Sequence, residues 1–271
     1  MMTVFMPVVM VSAVFLAGTL TLLAGLAARL KNAGIVDVFW GLGFIPLAFI
    51  AAGEMESFWL RKMLLLSMVT LGSLRLGLYL LKRAVQLHPV EDPRYHALRL
   101  LWGKNANWGF WGVFLFQGLL MLLLSGIFWV PLHNPHSGIQ PLEWLGVTLW
   151  LVGYMGEGLA DSQLASFKRK TESHGQICLV GLWRYSRHPN YFFEWVQWLG
   201  YFVFAFSSPL GGWTAYAPLL MLFLLTKVSG IPPTEAHLLA SKGAAYQHYQ
   251  QTTSAFVPWF PRRDVPQSAK T

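Results

Sequence analysis

The densest run of reactive side chains lies between Gly181 and Trp198, where Trp183, Arg184, Ser186, Arg187, His188, Asn190, Tyr191 and Glu194 crowd one short stretch. Arginine forks bind phosphate or carboxylate through two parallel hydrogen bonds. Pro189 favours an extended residue before it and a helix after it, and a helix N-terminus flanked by arginines is a ready anion site. Glu194 and Trp198, four positions apart, share one face of that helix. A membrane-surface anchor explains the aromatic residues. It does not explain the density of hydrogen-bonding types, so the segment is read as a binding site.

Other polar residues interrupt apolar stretches, where each costs a few kcal/mol unless it meets a cavity or a partner. These are Asp37 beside Trp40, Arg75 with Tyr79, Gln117, Glu157, and Glu194 with Gln197. Asp37 reads either as a functional acid or as the partner of Arg75; Gln117 reads as interhelical glue. Asp161 to Lys170 ends an apolar stretch in a basic cluster, open to orientation charge or to phosphate contact. Glu91 to Tyr95 reads as a turn with local ion pairs. Glu235, ahead of Gly243, Tyr246 and Tyr249, belongs to a short helix after Pro232 and Pro233. His174, His237 and His248 lack a companion ligand set, so no metal is expected. Gly41 and Gly43 lie in an apolar span rather than after a strand, which excludes a dinucleotide-binding glycine fingerprint.

The elements that must carry these groups follow from composition. Of 271 residues 55% are hydrophobic and 12% charged, with 13 Trp and 19 Phe. A soluble domain carries about 25% charged residues, so the chain reads as an integral membrane protein, and the net charge of +8 reflects topology rather than nucleic-acid binding. One cysteine, Cys178, excludes an internal disulfide and cysteine-based metal centres. A spanning helix needs about 20 mostly apolar residues. Seven stretches qualify: about 4–28, 35–52, 58–81, 108–131, 142–160, 192–207 and 213–229. Arg29 and Lys31 follow the first; five Lys or Arg lie between 82 and 104 and five between 168 and 187; Lys242, Arg262, Arg263 and Lys270 close the chain. That places sixteen of twenty basic residues on one side, giving an all-α bundle with the N-terminus outside and the C-terminus cytoplasmic. The aromatic–basic tail from Phe256 to Arg263 suits an interfacial anchor.

At Leu182 to Tyr191 the chain resembles the steroid 5-alpha-reductase C-terminal superfamily. That superfamily includes the sterol C14 and C7 reductases and, more distantly, the isoprenylcysteine carboxyl methyltransferases. The match is nearest to its bacterial branch of short membrane proteins, through Asp37 and Trp40, Arg75 and Arg83, the Glu91–Tyr95 loop and the tail from Thr253 to Pro261. This likeness covers nearly the whole chain, whereas likeness to the reductases is confined to about 158–250. It implies a bacterial inner-membrane protein. Helices of about 1–135 lie on the substrate side, about 142–250 form the cofactor-binding region, and 251–271 form the tail. The implied cofactor is NADPH: Asn190, Tyr191 and Glu194 at the nicotinamide end, Arg187 on the phosphates, Gln163 and Lys168 through a Gln-x-x-x-x-(Arg/Lys) match, and Trp183, His188, Glu235 and Tyr246 in the same set. Phe193 stands where Gly is usual, Ile231 and two prolines replace a basic run, and Asp37 only approximates a Gln-Glu pair that polarises the steroid ketone.

The leading expectation is an NADPH-dependent reductase of a conjugated C=C bond in a lipophilic substrate, a 3-oxo-delta4-steroid or another enone lipid. Asp37 and Tyr79 are the expected proton donors, since burial favours the protonated form of an acid, and Trp40 and Trp198 wall the substrate pocket. Membrane lipid is a further expected partner, and neither nucleic acid nor metal is expected. The alternative is an S-adenosylmethionine-dependent methyltransferase, because the Arg-His-Pro-x-Tyr element and Glu235, Leu238, Gly243 and Tyr246 also fit the isoprenylcysteine enzymes. Phosphate-binding capacity separates the two. A non-catalytic membrane module is the third class.

Overall fold

The computed structural model describes residues 2–170 and 175–262; His174, Arg263 and Lys270 lie outside these. The described elements are helices α1 (Met2–Leu30), α2 (Ile35–Leu42), α3 (Phe44–Glu54), α4 (Trp59–Leu87), α5 (Pro93–Trp102), α6 (Ala106–Leu132), α7 (Pro141–Lys168), α8 (Pro189–Phe206), α9 (Tyr216–Phe223), α10 (Ile231–Lys242) and α11 (Ala244–Thr252). They fall into two compact units, Met1–Glu143 with Ala205–Thr214, and Trp144–Phe204 with Ala215–Thr271.

In the first unit α1 packs on α6 and α3, and α2 and α3 pack on α4. Leu20, Leu47, Leu65, Phe114, Leu124 and Ile127 fill the core between them. The 35–54 stretch is apolar apart from Asp37 and Glu54, yet it breaks into α2 and α3 at Gly43. Close crossing is bought with small residues, as in membrane bundles: a Cβ on Gly41 would lie 2.7 Å from the Gly77 Cα on α4. At one end of this unit Arg61 and Glu143 form an ion pair with both side chains fully buried. The Arg61 guanidinium also donates to the carbonyls of Asn134, His136 and Gly138. Every lobe of that buried charge is met, which is what burial of a guanidinium requires.

In the second unit α7 and α8 run in backbone contact. A Cβ on Gly153 would come 2.7 Å from the Gln197 nitrogen, and one on Gly200 would come 2.6 Å from the Trp150 nitrogen. Phe193 lies over Gly156, so its bulk is taken up by the notch that glycine leaves on α7. Inside this interface Gln197 donates to Glu157, both buried.

Among the described residues five helical stretches are long and apolar enough to cross a membrane: Val4–Leu30, Ile35–Glu54, Trp59–Leu87, Pro93–Leu132 and Gly211–Lys242. The other two expected spans correspond to α7 and α8, which are helical but diluted by Glu143, Glu157, Glu194 and Gln197. The 82–107 stretch between the third and fourth expected spans is largely helical, because α4 continues to Leu87 and Asp92 caps α5 by accepting from the Arg94 amide at 3.0 Å, with Pro93 in the first turn.

Candidate functional site

The reactive segment is seated on α7 before it starts α8. Gly181 adopts φ +58°, a left-handed conformation that L side chains rarely take, and a Cβ there would collide with the Gln163 amide. Glycine therefore lets Gln163 accept from the Leu182 amide at 2.9 Å, while the Trp183 indole donates to the Ala160 carbonyl at 2.9 Å. A 3-10 turn over Gly181–Arg184 follows, and Pro189 begins α8.

Glu235 on α10 is the hub. Its Oε1 accepts from Arg187 Nε at 2.6 Å and lies 3.2 Å from His188 Nε2 and 3.4 Å from the Tyr246 hydroxyl. Its Oε2 accepts from Gln250 at 3.0 Å. Arg187 Nη1 donates to the carbonyls of Gln250 and Thr253. The His188 and Tyr191 rings stack at 5.5 Å and 6°, and the Tyr191 hydroxyl lies 3.4 Å from that of Thr234. Tyr249 donates to the carbonyls of Trp183 and Ser186. Burial, reinforced by the Glu235 charge, pushes the Tyr246 hydroxyl up, and burial does the same to Tyr249; both stay protonated as donors.

The structure thus brings Arg187, His188, Tyr191, Glu235 and Tyr246 together, with Trp183 and Gln163 seating them. Asn190 stands in the first turn of α8 with its Oδ1 buried and without a hydrogen-bond partner among the described residues. A buried acceptor left so is costly, which makes it the atom of this cluster most ready for an incoming donor. Glu194 is half-buried one turn further, and Trp198 is buried against Tyr201. Lys168 is exposed at the end of α7, near a cleft of about 200 Å³ lined by Ser162, Gln163, Ser166, Phe167, Lys170 and Val180. Arg187, expected on phosphate, has its Nε and Nη1 turned inward to Glu235 and to the carbonyls of Gln250 and Thr253. Gln250 and Thr234 were missed by sequence reasoning. For Gln250 a signal existed: it stands four residues after Tyr246, on the same face of α11.

The first unit holds Asp37 and its neighbours. Asp37 accepts from Arg94 at 2.7 Å and from the Tyr95 hydroxyl at 2.5 Å. Asp92 takes Arg83 and Arg94, and Glu91 takes Arg99 and the Ala33 amide. Burial opposes ionisation of Glu91 and Asp92, but these arginine and backbone contacts outweigh it and hold both carboxyls below their usual range. Tyr79 is 44% exposed on α4, whereas Tyr95 is the tyrosine bonded to Asp37. Trp40 meets Phe44 edge-on at 5.8 Å. Among the described residues no three His, Cys, Asp or Glu side chains form a metal-ligand group.

A family model described as protein of unknown function (DUF1295) matches residues 24–253. The chain belongs to that family. It is 26% identical over 262 residues to the uncharacterized protein C594.04c of Schizosaccharomyces pombe, covering 86% of this chain and 75% of that one. It is 29% identical over 107 residues to the uncharacterized protein C9.08c of the same yeast, covering 34% of this chain and 37% of the relative. No solved structure matches.

Proposed function

We propose that this protein is a membrane-embedded NADPH-dependent reductase of a conjugated C=C bond in a lipophilic substrate such as an enone lipid, with the cofactor held by the second unit. The observation that carries the reading is the convergence of residues 183–191 with 234–254, which leaves the Asn190 Oδ1 as a buried acceptor beside a stacked His188–Tyr191 pair. A carboxamide N–H is the donor such an acceptor fits, and the resemblance drawn from Leu182–Tyr191 points to the nicotinamide end of the same cofactor. When bound, that cofactor supplies the hydride. Lys168, Arg169 and Lys170, exposed beside the Ser162–Ser166 cleft, supply the cations its phosphates need. Arg187 fixes Glu235, and Glu235 in turn orients His188 and Tyr246.

One observation favours a second reading, an S-adenosylmethionine-dependent methyltransferase: Arg187 is engaged inside the protein, which lowers the phosphate-binding capacity of the site. Titration of the detergent-purified protein separates the two. NADPH binding that weakens roughly tenfold in Asn190→Ala, a loss of about 1.4 kcal/mol, supports the reductase. Binding of S-adenosylmethionine with no affinity for NADPH replaces it by the methyltransferase. Affinity for neither removes both.

A further inference from the structure

The tail after α11 folds back along the reactive segment as a strap. The Arg187 amide donates to the Ser254 carbonyl at 2.8 Å, the Ser186 hydroxyl to the Phe256 carbonyl at 2.8 Å, and the Trp259 amide to the Tyr185 carbonyl at 2.9 Å. Ser186 and Ser254 pair as a parallel bridge. Phe256 packs on Phe192 and Trp195, and Phe260 stands edge-on to Tyr185 at 6.0 Å. The strap's backbone is thus engaged, yet Val257, Trp259 and Phe260 are 51%, 70% and 75% exposed. Exposed aromatics on a backbone held by hydrogen bonds call for a covering phase.

Depth along α7 identifies that phase. Its outward face is apolar through Leu151, Met155 and Leu159, then turns to Ser162, Ser166, Lys168 and Arg169, all exposed. The 181–187 segment is pinned at this border, because Trp183 bonds to Ala160 and Leu182 to Gln163. The strap is bonded to Tyr185, Ser186 and Arg187, so it lies at the same level, with Arg184 and Arg262 exposed beside it. Apolar surface ending in serines and cations marks the membrane–water boundary, where Trp and Phe rings are best accommodated and Arg meets lipid phosphate.

The geometry points to a lipid-facing clamp: Val257, Trp259 and Phe260 seat in the headgroup layer of a bilayer, and through the Ser254–Trp259 backbone this holds the Tyr185–His188 segment in place. The inference stands apart from the cofactor reading, since its readouts involve no ligand. In a Cys178→Ser background, Trp259→Cys and, as a control, Gln247→Cys on the exposed face of α11 are labelled with bimane in vesicles of phosphatidylcholine and phosphatidylglycerol. The label at 259 is expected to be quenched by nitroxide-headgroup lipids and shielded from aqueous iodide, and the label at 247 the reverse. Equal access of iodide to both overturns the proposal, as does shielding at 259 that appears only as protein density in the vesicle rises, which assigns the surface to a second copy. For the clamp, hydrogen exchange of the Tyr185–His188 peptide should lose protection in a Trp259→Ser, Phe260→Ser double variant and keep it in Trp259→Tyr, Phe260→Tyr. Full protection in the serine variant overturns the coupling. If the serine variant fails to fold, the tyrosine variant decides, because loss of protection there contradicts a role that any interfacial aromatic fills.

Discussion

Arg187 and Asn190 sit three residues apart in sequence and do opposite things. The Arg187 guanidinium bonds Glu235 and the carbonyls of Gln250 and Thr253, so removing it strands a largely buried carboxylate. Arg187→Ala should lower stability by about 3 kcal/mol, seen as an earlier thermal unfolding midpoint in detergent, and Arg187→Lys should recover little because an ammonium cannot reproduce the fork. Asn190 makes no such contribution through its Oδ1. Asn190→Ala should leave the unfolding midpoint unchanged or slightly raised, since it removes an unsatisfied acceptor. A large destabilisation in Asn190→Ala would show that the acceptor has a structural partner and is not waiting for a ligand.

Two elements make separate predictions. The α7–α8 pair depends on backbone contact at Gly153 and Gly200, where an added methyl meets main-chain atoms at 2.7 and 2.6 Å. Gly200→Ala should cost about 1–3 kcal/mol through overpacking, whereas Gly158→Ala, on α7 with nothing within 4 Å, should gain a few tenths from helix propensity. Comparing their midpoints checks the interface with an internal control. Helix α5 is held by Glu91 and Asp92, whose folded-state pKa values lie below the ordinary 4.5 and 3.8. Carboxyls depressed in the folded state contribute fully above those ordinary values and lose their contribution as pH falls through the lowered ones. Amides of α5 should therefore exchange normally at pH 6 and lose protection below about pH 4, before α1 and α6 do. Unchanged α5 protection in acid would show that apolar packing alone retains it.

At the scale of the molecule the prediction is topological. The basic asymmetry predicts seven spans with the 161–191 segment and the C-terminal tail on the cytoplasmic side, which requires α7 and α8 to cross as a pair despite their polar residues. Their carboxylate and amide meet each other inside the pair, Glu157 with Gln197, while Leu151, Val152, Met155 and Leu159 are exposed outward, so the lipid-facing surface stays apolar. Single cysteines at Lys168 and Lys242 should label from one side and a cysteine at His136 from the other. Labelling of all three from one side would reduce the count of crossings.

Much was determined by sequence alone, because hydrophobicity is local: the apolar stretches, the all-helical class and the richest polar segment can be counted residue by residue. The convergence of that segment with Glu235 and Tyr246 was legible only through resemblance, and its geometry was not legible at all. Which group meets Arg187 depends on a chain separation of 48 residues folding through α8, α9 and α10, and no spacing rule reaches that far. Asp37 shows the same limit: Arg75 and Tyr79 were the sequence's nearest polar companions, but Arg94 and Tyr95 bond it because Asp92 caps α5 and turns that helix toward α2. Burial and partner choice are properties of the packed chain, and tertiary structure alone decided that Arg187 supports the site from within while Asn190 keeps an acceptor open.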